Sequence, residues 1–433
     1  MPKDLTAIDT IVVVMMENRS FDHMLGYISG IPPQYACNYN GAPYRPYPLA
    51  NPNLPLPDDP PHDWKAIATQ MGPPSQGVFP MDGFVTSYSA IHRINPGDRP
   101  IVMGYFNGPQ VPMSDFFARN YAICDHWFSS LPASTQPNRL MSMSGFSQII
   151  DNVIVLPDQD LVYDWLDRHN VRWRVYHEGI PFFALMPKWL PAIVGNDHFR
   201  PFGQFFRDVT EEPDDEFPQV IFLEPIYTDA PHLGRSSDDH APSPISPGQQ
   251  FLLDAYRAAS LDPGRWSRMV MVVTYDEHGG IFDHVSPPLV PTAPPAGANY
   301  NTPFNSLGVR VPSFVVSPYV TAGRVYGETL DHISILKFIG EKFGGGQGYS
   351  PVVDGRPVGS VSDVLDLTTA RTDIPSAPPL ADYAAGAPMD IGYTPGTPRS
   401  SINHAAFKGA LDQMRRDHPI EAQQKFRDLL IHF

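Results

Sequence analysis

The sequence predicts an α/β protein built on a central, mostly parallel β-sheet with helices on both faces. Three observations carry this prediction. Short apolar runs rich in β-branched residues recur along the chain, each bounded by polar loops. Segments with helical spacing follow several of these runs, which is the alternation of a parallel sheet whose strands are buried on both sides. Several runs also stop abruptly at polar or charged residues, as strands do where loops converge on the carboxyl edge of such a sheet.

In chain order, the first strand is "TIVVVMM" (10–16), and further strands are predicted at "DNVIVLP" (151–157), "VRWRVYH" (171–177), "QVIFLEP" (219–225), "MVMVVTY" (269–275) and "VPSFVVSPY" (311–319). Helical spacing predicts helices over 159–169, 247–260 and 332–343. Residues 30–113 are rich in Pro, Gly and Asn with little periodicity and read as a loop-rich cap inserted over one end of the sheet. The catalytic-type domain is thereby expected over 1–371, cap included. Residues 372–433 are expected to pack on that same domain. Within them a second Pro/Gly/Ala stretch (372–400) reads as a strap, and a closing amphipathic helix near 404–431 would present Phe407, Leu411, Met414, Phe426, Leu429 and Leu430 on one face.

Composition narrows the classes of function. With 42% hydrophobic and 12% aromatic residues the chain has ample core material, while 50 prolines imply many defined loops. The formal net charge of -16 repels nucleic acid and anionic membrane, so no nucleic-acid partner is expected, and at most a peripheral membrane contact. Two cysteines, Cys37 and Cys124, lack metal-ligand spacing and read as buried thiols, with one bridge open in an oxidising compartment. No apolar run is long enough to span a bilayer, and the first residues lack the layout of a signal peptide. This leaves a cytoplasmic protein and a processed, secreted one equally open.

Chemistry concentrates at the strand ends. The first run stops at Glu17 and Asn18, a carboxylate beside an amide oxygen, which suits a divalent cation; the alternative is a helix start capped by Asn18 or Ser20. The stretch "MVVTYDEHGGIFDH" repeats the design with Asp276 and Glu277, then His278, Gly279 and Gly280, whose glycines allow a tight path and close approach of a ligand. In "LPASTQPNRLMSMSG" (131–145), Ser134 or Thr135 precedes a helix beginning near Asn138, where a hydroxyl either caps the helix or faces an anion. Four histidines sit in loops or at strand ends: His62, His177, His240 and His284. Together they suit a pocket that receives phosphate and supplies protons.

These segments in combination resemble the bacterial and plant phosphoesterase family that includes the non-specific phospholipases C and related acid phosphatases. The matching pieces are "MMENRSFDHMLG", "STQPNRLMSMSG", "DDH" and "YDEHGGIFDHVSPP", with "GVRVPSFVVSPYV" and "LDHISILKF" as companions, in the family's order. The resemblance implies an alkaline-phosphatase-like fold and hydrolysis of a lipid or small-molecule phosphate ester at one divalent metal ion. It assigns Glu17, Asn18, Asp276 and Glu277 to the metal and selects Thr135, three residues before Asn138, as nucleophile. His62, His177 and His240 match histidines that contact phosphate or leaving group, with Asn138 and His284 as supporting residues and His284 expected to orient a ligand carboxylate. An all-oxygen donor set favours Mg²⁺ or Ca²⁺ and leaves Mn²⁺ and Zn²⁺ open. One departure is visible: plant-type members carry a further histidine soon after "DDH", whereas this chain reads "DDHAPSPISPG". A phospholipase C acting on phosphodiesters is the leading expectation, an acid phosphatase acting on monoesters its rival, and a non-catalytic binding module the third reading.

Overall fold

The computed structural model of the protein describes residues 4–53, 55–195, 197–380 and 401–432. Eight strands form the main sheet: β1 (Thr10–Met16), β2 (Ala122–Cys124), β3 (Trp173–His177), β4 (Phe199–Pro201), β5 (Val220–Glu224), β6 (Met269–Tyr275), β7 (Phe314–Val316) and β8 (Arg324–Tyr326). Their spatial order is β8-β2-β7-β6-β1-β5-β3-β4. Only β7 runs against its neighbours. Every residue of β1, β5 and β6 is buried, as a sheet covered on both faces requires.

Helices flank this sheet: α1 (Phe21–Ser29), α2 (Trp64–Met71), α3 (Phe84–Tyr88), α4 (Pro112–Asn120), α5 (Thr135–Ser144), α6 (Val162–Arg168), α7 (Leu190–Gly195), α8 (Gly203–Glu211), α9 (Ser246–Ala259) and α10 (Ile333–Phe343). The segment 30–113 is built from the hairpin Cys37–Tyr39 and Ala42–Tyr44 together with α2 and α3. It has its own apolar cluster, in which Ile67, Met71, Phe84, Val85 and Val102 meet Ile281 and Phe282 from the loop after β6. This cluster brings the cap down onto the carboxyl edge of the two central strands.

Several expectations change. Residues 151–157 form no strand; Ile154 and Val155 are half exposed, and the segment instead offers polar side chains to α5. The strand predicted at 311–319 contracts to Phe314–Val316 because Pro312 and Pro318, which cannot donate to a ladder, bracket it. The closing helix is three helices, α11 (Ile402–Asp417), α12 (Pro419–Lys425) and α13 (Arg427–His432), the first break falling at Pro419. Its expected face does turn inward, with Phe407, Leu411, Met414 and Phe426 buried and Leu429 and Leu430 packed at the edge of the core. Of the strap, 381–400 lie outside the described residues. Cys37 and Cys124 are buried free thiols, and among the described residues no helix is long and apolar enough to cross a membrane.

Candidate active site

The parallel register of β1 and β6 pairs Met16 with Tyr275, so the chain leaves both strands at the same level and Glu17 emerges beside Asp276. Two backbone links tie the ends together: the Asp276 amide donates to Met16 O at 3.1 Å, and the Asn18 amide donates to Asp276 Oδ1 at 3.0 Å. Asn18 takes a left-handed backbone (φ 59°), which asparagine tolerates, and so turns its side chain back over the strand ends. Ser20 is the N-cap of α1. The glycines after Glu277 do not make room for a ligand. A Cβ on Gly279 would lie 2.2 Å from Asn18 O, and one on Gly280 2.5 Å from Pro61 O. They let the loop after β6 press against Asn18 and against the segment that carries His62.

Helix α5 begins at this junction. Ser134 is its N-cap residue, but the Ser134 hydroxyl donates to Asp151 Oδ1 at 3.1 Å, away from the strand ends. Thr135 is the first helical residue, fully buried, with Oγ1 3.4 Å from Asn18 Oδ1. Asn138 secures the approach to the helix: its Oδ1 accepts from the Leu131 amide at 2.9 Å, and its Nδ2 donates to Ala133 O at 2.8 Å. One turn on from Thr135 stands Arg139, which sequence reasoning passed over. Its guanidinium lies 3.2 Å from Glu17 Oε1 and 3.5 Å from Asp276 Oδ2, and its flat face rests on Phe182 and Tyr227. The i, i+4 spacing from Thr135 was the available signal.

Of the histidines, the structure brings His62 and His240 together, with ring centroids 5.7 Å apart. His62 Nδ1 donates to Pro60 O at 2.7 Å, and Nε2 lies 3.3 Å from the side-chain nitrogen Nδ2 of Asn18. His240 is buried, and neither ring nitrogen has a hydrogen-bond partner. Asp59, also unforeseen, stands 3.7 Å from both rings. His177 is not part of this group: its Nδ1 donates to Gly179 O at 2.6 Å and its ring meets Phe426 of the C-terminal helices. His284 does not orient any of the four expected metal ligands. It bonds Asp22 Oδ2 at 2.6 Å, within an ion-pair network in which Arg310 binds Asp22 and Asp283 under α1. His332 does approach the site, its Nε2 donating to Asp276 O at 2.7 Å.

Burial governs the charges. It pushes the Glu17 carboxyl well above its usual range against the pull of Arg139, with the Asp276 charge adding to the rise. Asp276 is pushed up to about 6 by burial, again opposed by Arg139 and reinforced by Glu277. Burial would also raise Glu277, but His62 and His278 outweigh it and hold that carboxyl below its usual value. Burial alone would lower His62; the Glu277 and Asp59 carboxylates and the Pro60 carbonyl raise it to about 9. His177, by contrast, is driven to about 3 by burial and Lys425.

The donor set fits a hard divalent cation. Glu17 Oε1, Asp276 Oδ2 and Glu277 Oε1 are buried and accept no hydrogen bond, the first two facing Arg139, and Asn18 Oδ1 faces Thr135 Oγ1. Among the described residues, the tight groups of potential ligands include neither Asp276 nor Glu277: they place Glu17 with Asp238 and His240, His240 with Asp59 and His62, and Asp22 with Asp283 and His284. Glu17 and Asp276 themselves are bridged by Arg139.

The model of the phosphoesterase family matches residues 8–344. Non-specific phospholipase C3 of Arabidopsis thaliana is 30% identical over 427 residues, covering 89% of this chain and 78% of its own length. Phospholipase C B of Mycobacterium tuberculosis is 28% identical, covering 79% and 74%. Among solved structures, the lipoteichoic acid synthase LtaP from Listeria monocytogenes aligns at 12% identity with a TM-score of 0.36 over 81% of this chain and 77% of its own. The PsFucS1 sulfatase from Pseudoalteromonas aligns at 9% with a TM-score of 0.40 over 84% and 74%. The family match runs from β1 through α10 and takes in the strand-end acids, the α5 hydroxyl and the histidine pair: the chain belongs to the phosphoesterase family and is a phosphoric ester hydrolase.

Proposed function

We propose that the protein is a divalent-metal-dependent phospholipase C, which cleaves phospholipid phosphodiesters through a phosphothreonine at Thr135. The observation that carries the reading is the position of Thr135. Its hydroxyl faces Asn18 at the start of α5, beyond which lie the three buried acids, and the His62–His240 pair borders the same amide. The relatives named phospholipase C support the substrate class.

When bound at Glu17, Asn18, Asp276 and Glu277, a divalent ion would neutralise phosphate charge and favour ionisation of a nearby hydroxyl. The chain's own groups do the rest. The N-terminus of α5 presents the positive end of its dipole to an anion, which steers the phosphate onto Thr135, although in its first turn the Gln136 amide is already bonded to Asn152 and Pro137 has none. Thr135 enters as the alkoxide, its proton lost to solvent, and Oγ1 attacks phosphorus; the new P–O bond forms as the bond to the glycerol oxygen breaks. His240, with both ring nitrogens free, gives its proton to the departing alkoxide, and diacylglycerol leaves. Water then attacks the phosphothreonine, surrendering a proton to the same imidazole. Thr135 is restored and the phosphorylated head group is released. His62 holds a positive charge against the phosphate throughout, and Asn138 fixes the entry to α5.

The test is incubation with phosphatidylcholine vesicles, p-nitrophenyl phosphate and p-nitrophenylphosphorylcholine, each with Mg²⁺, Ca²⁺, Mn²⁺ or Zn²⁺. Diacylglycerol release that chelation abolishes is the expected result. Turnover of the monoester alone would make the protein a phosphatase, and no turnover of any ester would overturn the catalytic reading.

A further inference from the structure

We infer that Asp59 sets a charge preference beside the two imidazoles, disfavouring dianionic phosphomonoesters and favouring phosphodiesters, most of all those whose head group is cationic. The inference rests on the reading of His62 and His240 as the groups that face the phosphate.

Asp59 lies in the loop before α2, with Oδ1 3.7 Å from His240 Nε2 and 3.7 Å from His62 Nδ1. Its side chain is 36% exposed, against 14% for His62 and 1% for His240, while Oδ1 itself is buried against the two imidazoles. Oδ1 accepts no hydrogen bond, and the carboxylate is therefore not consumed in holding the loop. The adjacent Asp58 behaves oppositely: its Oδ2 accepts from Tyr88 at 2.6 Å and contacts His92 Nδ1 at 2.8 Å, which ties it to α3 and away from the site. A phosphate resting on the two imidazoles thus meets one fixed negative charge held against both rings.

That charge acts on what distinguishes the possible substrates. Above pH 7 a monoester carries close to two negative charges and a diester one. The additional charge, roughly 6 Å from the carboxylate at an effective dielectric between protein and water, corresponds to about a five- to tenfold penalty in binding and turnover. A quaternary ammonium on the head group gains by the same interaction. If Asp59 served only to orient the imidazoles, its loss would depress every substrate by one common factor.

The ratio of substrates is therefore the readout. Asp59→Asn and Asp59→Glu are compared with the unmodified enzyme on p-nitrophenyl phosphate, bis(p-nitrophenyl) phosphate and p-nitrophenylphosphorylcholine at pH 8 and low salt. The expected result for Asp59→Asn is a five- to tenfold shift in relative kcat/KM from diester to monoester, with the choline ester losing more than the uncharged diester. Asp59→Glu retains the original ratios, and about 0.5 M NaCl narrows the difference between Asn and Asp. Ratios unchanged within twofold in Asp59→Asn overturn the inference, whatever the common loss of rate. Should the Asn variant turn over nothing, calorimetric affinities for phenyl phosphate and diphenyl phosphate give the same ratio. An unmodified enzyme inert toward all three esters would instead defeat the hydrolase reading itself.

Discussion

Replacing Arg139 by Met probes the balance on which the buried acids depend. The guanidinium stands 3.2 Å from Glu17 and 3.5 Å from Asp276, and both carboxylates are buried. At an effective dielectric near 20 each contact is worth about 5 kcal/mol in gross attraction, most of it offset by the desolvation of three charges. Removing one member strands the others, and such losses run to about 3–5 kcal/mol of stability. Methionine keeps an apolar stem against Phe182 and Tyr227, so little of the loss should come from packing. Protonation sets the ceiling. Glu17 and Asp276 already have raised folded-state values, and without the cation both rise further above their unfolded values. The folded variant then binds protons that the unfolded chain releases, and its stability falls as pH rises through the window between those values, by up to about 1.4 kcal/mol per pH unit per proton. The defect should be largest in EDTA at pH 8, smaller by a few kcal/mol at pH 5, and reduced at neutral pH by saturating divalent metal, which binds only the folded site. Urea unfolding at the two pH values, with and without metal, reads all three. A variant within about 0.5 kcal/mol of the parent in EDTA at pH 8, or a defect independent of pH, would refute the balance described here.

Three further outcomes follow from the same geometry. Thr135→Ala should lower turnover on the order of 10³-fold or more with metal affinity largely retained and Thr135→Ser partly active, whereas Ser134→Ala, whose hydroxyl faces Asp151, should stay within a few-fold; the reverse pattern in p-nitrophenyl ester assays would move the nucleophile to Ser134. Gly279→Ala places a Cβ against Asn18 O and should lower both thermal stability and metal affinity, and a variant with unchanged metal binding by calorimetry would show that this contact does not set the site. Asp239 is pushed up to about 7 by burial, against its bond from Tyr275 and the pull of Arg19, so its neutral form is the stable one and stability is lost as pH rises from about 4 to 7. Asparagine accepts the same left-handed backbone (φ 73°) and does not titrate, so Asp239→Asn should gain on the parent between pH 5 and pH 8; a gap that does not change with pH would count against this.

The strands that could be read from the sequence are the ones that must be apolar on both faces. β1, β5 and β6 occupy the middle of the sheet and appear as near-continuous runs of Val, Ile, Leu and Met, and β3 is only slightly less plain. β2, β4 and β8 have three residues each, too few to establish a period, and owe their strand form to the neighbour beside them. The same dependence explains the failure at 151–157. Val153, Ile154 and Val155 have strand propensity, but no sheet edge is available to them, and Asn152 serves instead as an acceptor for the Gln136 amide at the start of α5.

The site divides along a similar line. Glu17, Asn18, Asp276 and Glu277 were legible because strand polarity alone puts residues that follow parallel strands at one edge of the sheet, and adjacency of β1 and β6 then does the rest. Lateral position within the sheet has no such signature. His177 ends a parallel strand and does reach the correct edge, but β5 lies between β3 and β1. Two strand spacings of about 4.8 Å set its backbone roughly 10 Å from that of Met15, with Glu17 two residues further on, and its Nδ1 is already held by Gly179. Arg139 was missed for the opposite reason. An arginine on a helix is most often a solvated residue, and only the contact of α5 with the ends of β1 and β6 makes it the cation between two acids. Asp59 depends on the cap folding down over the edge, a long-range event that no local pattern near "DDPPHDW" records. Residues placed by following a strand can thus be located from the chain, while those placed by facing across one need the strand order first.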